Sequence, residues 1–329
     1  MNLLSIIGGQ WAIEPAKLLE ISNIYSAHLR GEKSDLVAIE TKIGKPLQNH
    51  TQQADYALQD GVAIIRLEGI IAKRMNLMTQ ISGGTSSQLA AQAMQAAIGD
   101  PAVHSIILAI DSPGGTVDGT QSLADQVLAA RRSGKPVVTL GSGAMASAAY
   151  WIGSAAQAVY ITDATTQVGS IGVVATHTDV SGSQEKQGIK TTEIAAGKYK
   201  RIASQYGPLT ADGKQTIQDQ VDYTYALFVD AVAKHRGTSS QTVLQKMADG
   251  RVFVGQQAID AGLVDGFATL DDLVQRLNAD RKSGKTSLVA KPAQPLTRLE
   301  LDQQAKAYMQ EHPETDYLAA IKTIAPELA

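Results

Sequence analysis

The 329-residue chain contains no cysteine. That absence removes disulfides, thiolate metal sites and any cysteine nucleophile. Chemistry here rests on oxygen, on nitrogen or on a bound cofactor. Aromatic residues are scarce at 5%, and charged residues stop at 19%. Neither sign of charge dominates: Lys and Arg number 29, Asp and Glu 32, for a formal net charge of -3. This excludes the basic excess of a nucleic-acid binder, and the Arg281, Lys282, Lys285 group reads as a solvated linker. No apolar run reaches the roughly 18 residues of a membrane span. Met1 to Ile13 lacks a positive start and contains Gly8, Gly9 and Gln10, so the chain reads as soluble, with no leader and no membrane anchor. What is plentiful is small: 29 glycines within a composition that is 44% hydrophobic, which is globular and not disordered.

Three regions are expected. Residues 1–58 form an N-terminal arm, with Pro15 opening a helix over Ala16 to His28. Residues 59–278 form the main domain, and 279–329 a linker and short helical tail, its helix running from Leu299 to Glu311. Within the main domain, apolar runs of strand length alternate with amphipathic stretches. Strands are expected at Val62–Leu67, Ser105–Ile110, Pro136–Leu140, Ala158–Thr162, Ser170–Ala175 and Thr191–Ile194. Helices are expected at Ser86–Ile98, Val117–Arg131, Ala146–Ala156 and Thr210–His235, with shorter units at Gln241–Ala248 and Gly255–Ala261. Buried strands separated by helices argue for an α/β layered fold.

Two glycine-rich turns carry the possible chemistry. Asp111-Ser112-Pro113-Gly114-Gly115 follows a strand, where glycine lets backbone N–H groups face a ligand and hold an oxyanion. By itself it is equally an ordinary tight turn. Gly141 to Tyr150 places Ser147 at the start of an alanine-rich helix, positioned as a nucleophile with a backbone N–H behind it. Helix capping is the commoner role for such a serine.

A serine nucleophile needs a base. Of the six histidines, His177 lies nearest the glycine-rich region, and none stands in a convincing triad context. Lysine is the alternative, in Gly197-Lys198-Tyr199-Lys200. Free lysine has a pKa near 10.4, and desolvation brings lysine bases down to about 7–8. A basic surface loop explains the same residues.

The order of these features, SPGG, AMASAAY, VGSIGV, GKYK and then RVFVGQQAIDAGLVD, resembles the signal peptide peptidase A family of serine–lysine proteases. The resemblance covers about residues 60–275. It implies a crotonase-like, Clp-protease-like layered fold of repeated β-β-α units. It further implies Ser147 as nucleophile, Lys200 as general base ahead of Lys198, and Ser170 as a support for the lysine. The N–H groups of Gly114 and Ala148 would form the oxyanion hole. Neither cofactor nor metal is implied. Two departures stand out. Ala148 and Ala149 replace a pair of glycines common in the family, which bears on substrate preference. The chain also lacks the membrane anchor of cellular members, so it is similar to the tailed-phage branch of minor capsid or prohead proteases. That branch implies polypeptide substrates, a homo-oligomer with the lysine given in cis or by a neighbour, and phage portal, scaffold and capsid proteins as partners. The location would be the host cytoplasm or the procapsid. A soluble cellular protease of the same family, a non-catalytic assembly scaffold and an acyl-CoA enzyme on the same scaffold remain alternatives.

Overall fold

A computed structural model describes residues 9–15, 17–21, 56–74, 84–284, 308, 309, 312 and 319. The chain divides into two units, Met1–Leu288 and Val289–Ala329. In the second unit the rings of Tyr308 and His312 lie 4.4 Å apart, and His312 N–H donates to Tyr308 O at 2.8 Å.

The first unit is built on strands that bury both faces. β3 (Val62–Glu68), β6 (Ser105–Ser112) and β8 (Val137–Ala146) are rich in Val, Ile and Leu and run parallel. Val62, Ile107 and Val138 sit in one core cluster, while Ile65, Ile106, Leu108 and Val137 sit in another. Burying each such side chain stabilises the fold by about 1.5–3 kcal/mol. The eight-stranded sheet has the path β12-β10-β8-β6-β3-β2, with β9 pairing β8 and β13 pairing β9. Its remaining strands are β2 (Ala57–Gln59), β9 (Ala158–Ile161), β10 (Gln167–Gly169), β12 (Val252–Val254) and β13 (Gly266–Phe267).

A five-stranded sheet has the order β11-β1-β7-β4-β5. It joins β1 (Gln10–Ile13), β4 (Ile70–Ala72), β5 (Gly84–Ser86), β7 (Gly114–Thr116) and β11 (Val174–Ala175). The chain passes from the large sheet to this one at Ser112-Pro113-Gly114, where β6 ends and β7 begins.

The helices are α1 (Ser87–Gly99), α2 (Thr120–Ala130), α3 (Ala148–Gly153), α4 (Ser181–Lys186), α5 (Ala211–Arg236), α6 (Ser240–Lys246), α7 (Gln256–Asp260) and α8 (Leu270–Ser283). Local chemistry sets their ends. Ser86 and Thr210 cap α1 and α5, and Gly237 closes α5 in the left-handed conformation. Thr269 and Asp272 form a capping box on α8.

Several sequence expectations are corrected. The Pro113-Gly114-Gly115 stretch is not a strand-to-helix turn: Gly114 and Gly115 begin β7. The glycine turn at Gly141–Gly143 does not end a strand, because β8 continues to Ala146. Its register against β6 jumps from Ile110↔Gly141 to Ser112↔Met145. This bulge lets β8 leave β9, which pairs Val138–Gly141, and take β10, which pairs Ala144–Ala146. Ser170–Ala175 is not one strand; β10 ends at Gly169 and β11 holds only Val174–Ala175. Thr191–Ile194 forms no strand, since its residues lie mostly exposed and find no ladder. Pro15 and Lys17–Ile21 are helical, and the rest of the helix expected to His28 lies outside the described residues. Most of the Leu299–Glu311 helix lies outside them too.

Candidate active site

The β8 bulge delivers Ser147. Asp111 on β6 holds the bulge from the neighbouring strand: Ala144 N–H donates to Asp111 Oδ1 at 3.2 Å, and a Cβ on Gly143 would stand 2.8 Å from the same oxygen. Three residues on, Ser147 has φ 54° and ψ -119°, a strained conformation for a residue with a Cβ. Bonds on both sides fix it. Ser147 N–H donates to Gly169 O at 2.7 Å, and Trp151 N–H donates to Ser147 O at 2.9 Å. Behind it Trp151 stacks on Phe228, with ring centroids 4.5 Å apart and planes at 8°.

Ser147 occupies the N-cap position of α3, yet its side chain makes no cap bond. Its Oγ is buried with no hydrogen-bond partner among the described residues. An orphaned buried hydroxyl costs about 1–3 kcal/mol, so the commonest role for a serine at a helix start is not the one this residue plays. Ala148, the first residue of α3, has a backbone N–H with no intrahelical acceptor by position. Gly114 lies against the same point: a Cβ there would meet Ser147 Cβ at 3.0 Å and Ala146 O at 3.1 Å. Its N–H donates to Ser112 Oγ at 3.2 Å, a long bond in a buried place. Ser170 follows Gly169, the residue that holds the Ser147 N–H. It too has positive φ, at 51°, and its own N–H donates to Arg251 O at 2.7 Å.

The structure therefore brings Gly114, Ala148 and Ser170 to Ser147. It does not bring Lys200 there within this chain. Lys200 is exposed on the turn after Gly197, to whose carbonyl it donates its backbone N–H at 3.1 Å. Its ammonium has no hydrogen-bond or ion-pair partner among the described residues. Lys198, the other candidate, lies 5.0 Å over the Tyr199 ring. The surrounding loop is tied down by Glu193, which pairs with Arg201 at 2.8 Å and accepts from Ser204 Oγ at 2.5 Å. Those two partners, Ser204 first, hold the Glu193 carboxyl below its ordinary range. His177 is spent on this loop, with Nε2 donating to Ser204 O at 2.9 Å, and is no base for Ser147.

Residues 129–283, which run from α2 through α8 and include Ser147, Ser170 and Lys200, match peptidase family S49. The chain carries an S49 peptidase domain. Relatives of the chain include the capsid assembly protease C of Escherichia phage lambda, 34% identical over 223 residues, covering 68% of this chain and 50% of the relative. The head-tail preconnector protein GP5 of Enterobacteria phage P21 is 31% identical over 233 residues, 70% of this chain and 46% of that protein. A putative signal peptide peptidase SppA of Enterococcus faecium is 31% identical over 183 residues, 56% of this chain and 53% of its own length. The chain spans about half the length of each of these relatives.

Three contributors to the candidate site were not legible as such in the sequence. Asp111 and Ser112 belong to the quoted motif, but nothing in their spacing shows that one would brace the bulge and the other take the Gly114 N–H. The strand Gln10–Ile13 is another, although its run Trp11-Ala12-Ile13, between Gly9 and Pro15, had the composition of a strand. Among the described residues no cluster of three or more His, Asp or Glu could hold a metal ion, and no helix is long and apolar enough to cross a membrane.

Proposed function

We propose that this chain is a serine endopeptidase in which Ser147 attacks the scissile carbonyl and Lys200 takes its proton. The N–H groups of Gly114 and Ala148 would hold the oxyanion, each such donor being worth about 3 kcal/mol. Lys200 then protonates the leaving amine, and water activated by the same lysine releases the acyl-enzyme. Ser170 positions the lysine. The observation that carries this reading is the Ser147 hydroxyl: buried, on a strained backbone and unpartnered among the described residues, against a glycine whose missing side chain lets the two segments meet.

The exposed, unpartnered Lys200 favours an arrangement in which a neighbouring copy supplies the lysine, so the active form is a homo-oligomer. Desolvation at that contact would lower the lysine to its working range. The likeness to two phage proteins named for capsid assembly and for the head-tail preconnector favours phage head polypeptides as substrates and partners, with action in the host cytoplasm or procapsid. A crotonase-like layering of β-β-α units fits the two sheets. The Ala and Met residues around Ser147 favour small or apolar side chains at the cleaved bond. Residues 1–58, 59–278 and 279–329 serve in this reading as arm, protease domain and tail.

The test is covalent. A fluorophosphonate probe is expected to label the wild-type chain at Ser147, and casein cleavage is expected to vanish in Ser147→Ala and in Lys200→Ala. Cleavage undiminished in either variant removes the dyad.

A further inference from the structure

The strand beside Ser147 belongs to the N-terminal arm. β1 lies between β7 and β11 and runs antiparallel to both, in the registers Ala12↔Gly115 and Trp11↔Val174. Glu14 N–H donates to Pro113 O at 2.9 Å, and Val117 N–H donates to Gln10 O at 3.2 Å, so the pairing extends past both ends of β7. An extended segment bonded along both edges is held as a β-augmenting peptide is held. Its main chain reaches the nucleophile. The point where a Cβ on Gly114 would stand is 2.3 Å from Ala12 O and 3.0 Å from Ser147 Cβ. With the arm in place Ser147 is 1% exposed. A polypeptide substrate has no path to the hydroxyl.

The Trp11 indole N–H is buried with no acceptor among the described residues, as is that of Trp151 in the core. Gln10 is held from the side by Thr224 on α5, whose Oγ1 donates to Gln10 Oε1 at 2.5 Å.

We propose that Gln10–Ile13 is a resident substitute for substrate: it fills the extended-peptide groove between β7 and β11, keeps Ser147 closed, and is displaced by an entering polypeptide strand. This rests on the reading of Ser147 as the nucleophile. The groove then takes its ligand by backbone hydrogen bonds to β7 and β11, with the Trp11 and Ile13 positions marking two side-chain sites that accept apolar residues.

The absence of cysteine gives a clean test. Gln10 and Ala175 are directly opposite on β1 and β11. Because Gln10 spends its carbonyl on β7, this is a non-hydrogen-bonded pair, with Cα atoms about 4.5 Å apart, within disulfide reach. In the full chain carrying Gln10→Cys and Ala175→Cys, the oxidised form is expected to take a fluorophosphonate at Ser147 at least tenfold more slowly than the same protein after reduction. Equal measurable rates overturn the proposal. A second measurement does not depend on peptidase activity. The same pair of cysteines in a Ser147→Ala chain is mixed with unfolded casein, and hydrogen exchange is read at Trp11–Ile13. Exchange is expected to rise with casein in the reduced form and to stay slow in the oxidised form. No casein response in the reduced form overturns the proposal. The expected exchange pattern, in a protein whose wild type takes no label and cleaves nothing, would keep the groove and refute the nucleophile.

Discussion

Gly114 and Ser147 sit so close that a single methyl group on the glycine would stand 3.0 Å from the serine Cβ. Gly114 opens β7 of the small sheet and Ser147 directly follows β8 of the large one, and the crossing at Pro113 and the bulge in β8 are what bring them together. Gly114 also has φ +105°, which side chains rarely adopt. Gly114→Ala is therefore expected to lower peptidase turnover by at least roughly a hundredfold, through displacement of one oxyanion donor, and to lower Tm measurably. Wild-type turnover with an unchanged melting curve would contradict this geometry.

Ser147→Ala separates function from stability. The substitution removes a buried hydroxyl that has no partner among the described residues, so it removes a desolvation cost and no bond seen in the structure. Cleavage should disappear while the unfolding free energy, from urea titration, rises by about 1 kcal/mol. A loss of stability of that size would mean the hydroxyl has a partner in solution.

Much of the large sheet could be read directly, because β3, β6 and β8 are continuous runs of branched apolar residues and α5 repeats Val221, Tyr225, Phe228 and Val232 at helical steps. The site was half legible. Ser147 and Gly114 were marked by glycine context, but their meeting depends on a register jump that no periodicity reports. The small sheet escaped for a physical reason. β4, β5, β7 and β11 are two or three residues each, too short to show alternation. β7 in addition contains two glycines that resemble a turn until Ile71 and Gly115 are seen to pair. The long helix and its Gly237 cap were readable because capping chemistry is local, whereas the exposure of Lys200 is a tertiary fact.

Mixing two dead variants tests where the lysine comes from. If Lys200 is supplied by a neighbouring copy, Ser147→Ala and Lys200→Ala subunits combined in equal amounts through unfolding and reassembly should regain about a quarter of wild-type casein cleavage, since half the serines meet half the lysines. A dyad formed within one chain would give no recovery.

The pairing of His235 with Ser154 sets a pH limit on the fold. His235 is buried at the end of α5, with Nδ1 2.9 Å from Ser154 Oγ. Burial, and then the charges of Arg131 and Lys234, push its pKa down from 6.5 to about 4. The folded protein thus keeps this ring neutral where the unfolded chain would protonate it. As pH falls below 6.5 the unfolded state binds the extra proton first and stability declines, by up to roughly 3 kcal/mol at about pH 4, below which folded and unfolded rings are both charged. His235→Gln keeps a polar group near Ser154 but does not titrate. Its urea midpoint should fall less than that of the wild type between pH 6.5 and 4, although it starts lower at pH 8. Parallel acid profiles for the two proteins would show that other groups govern the decline.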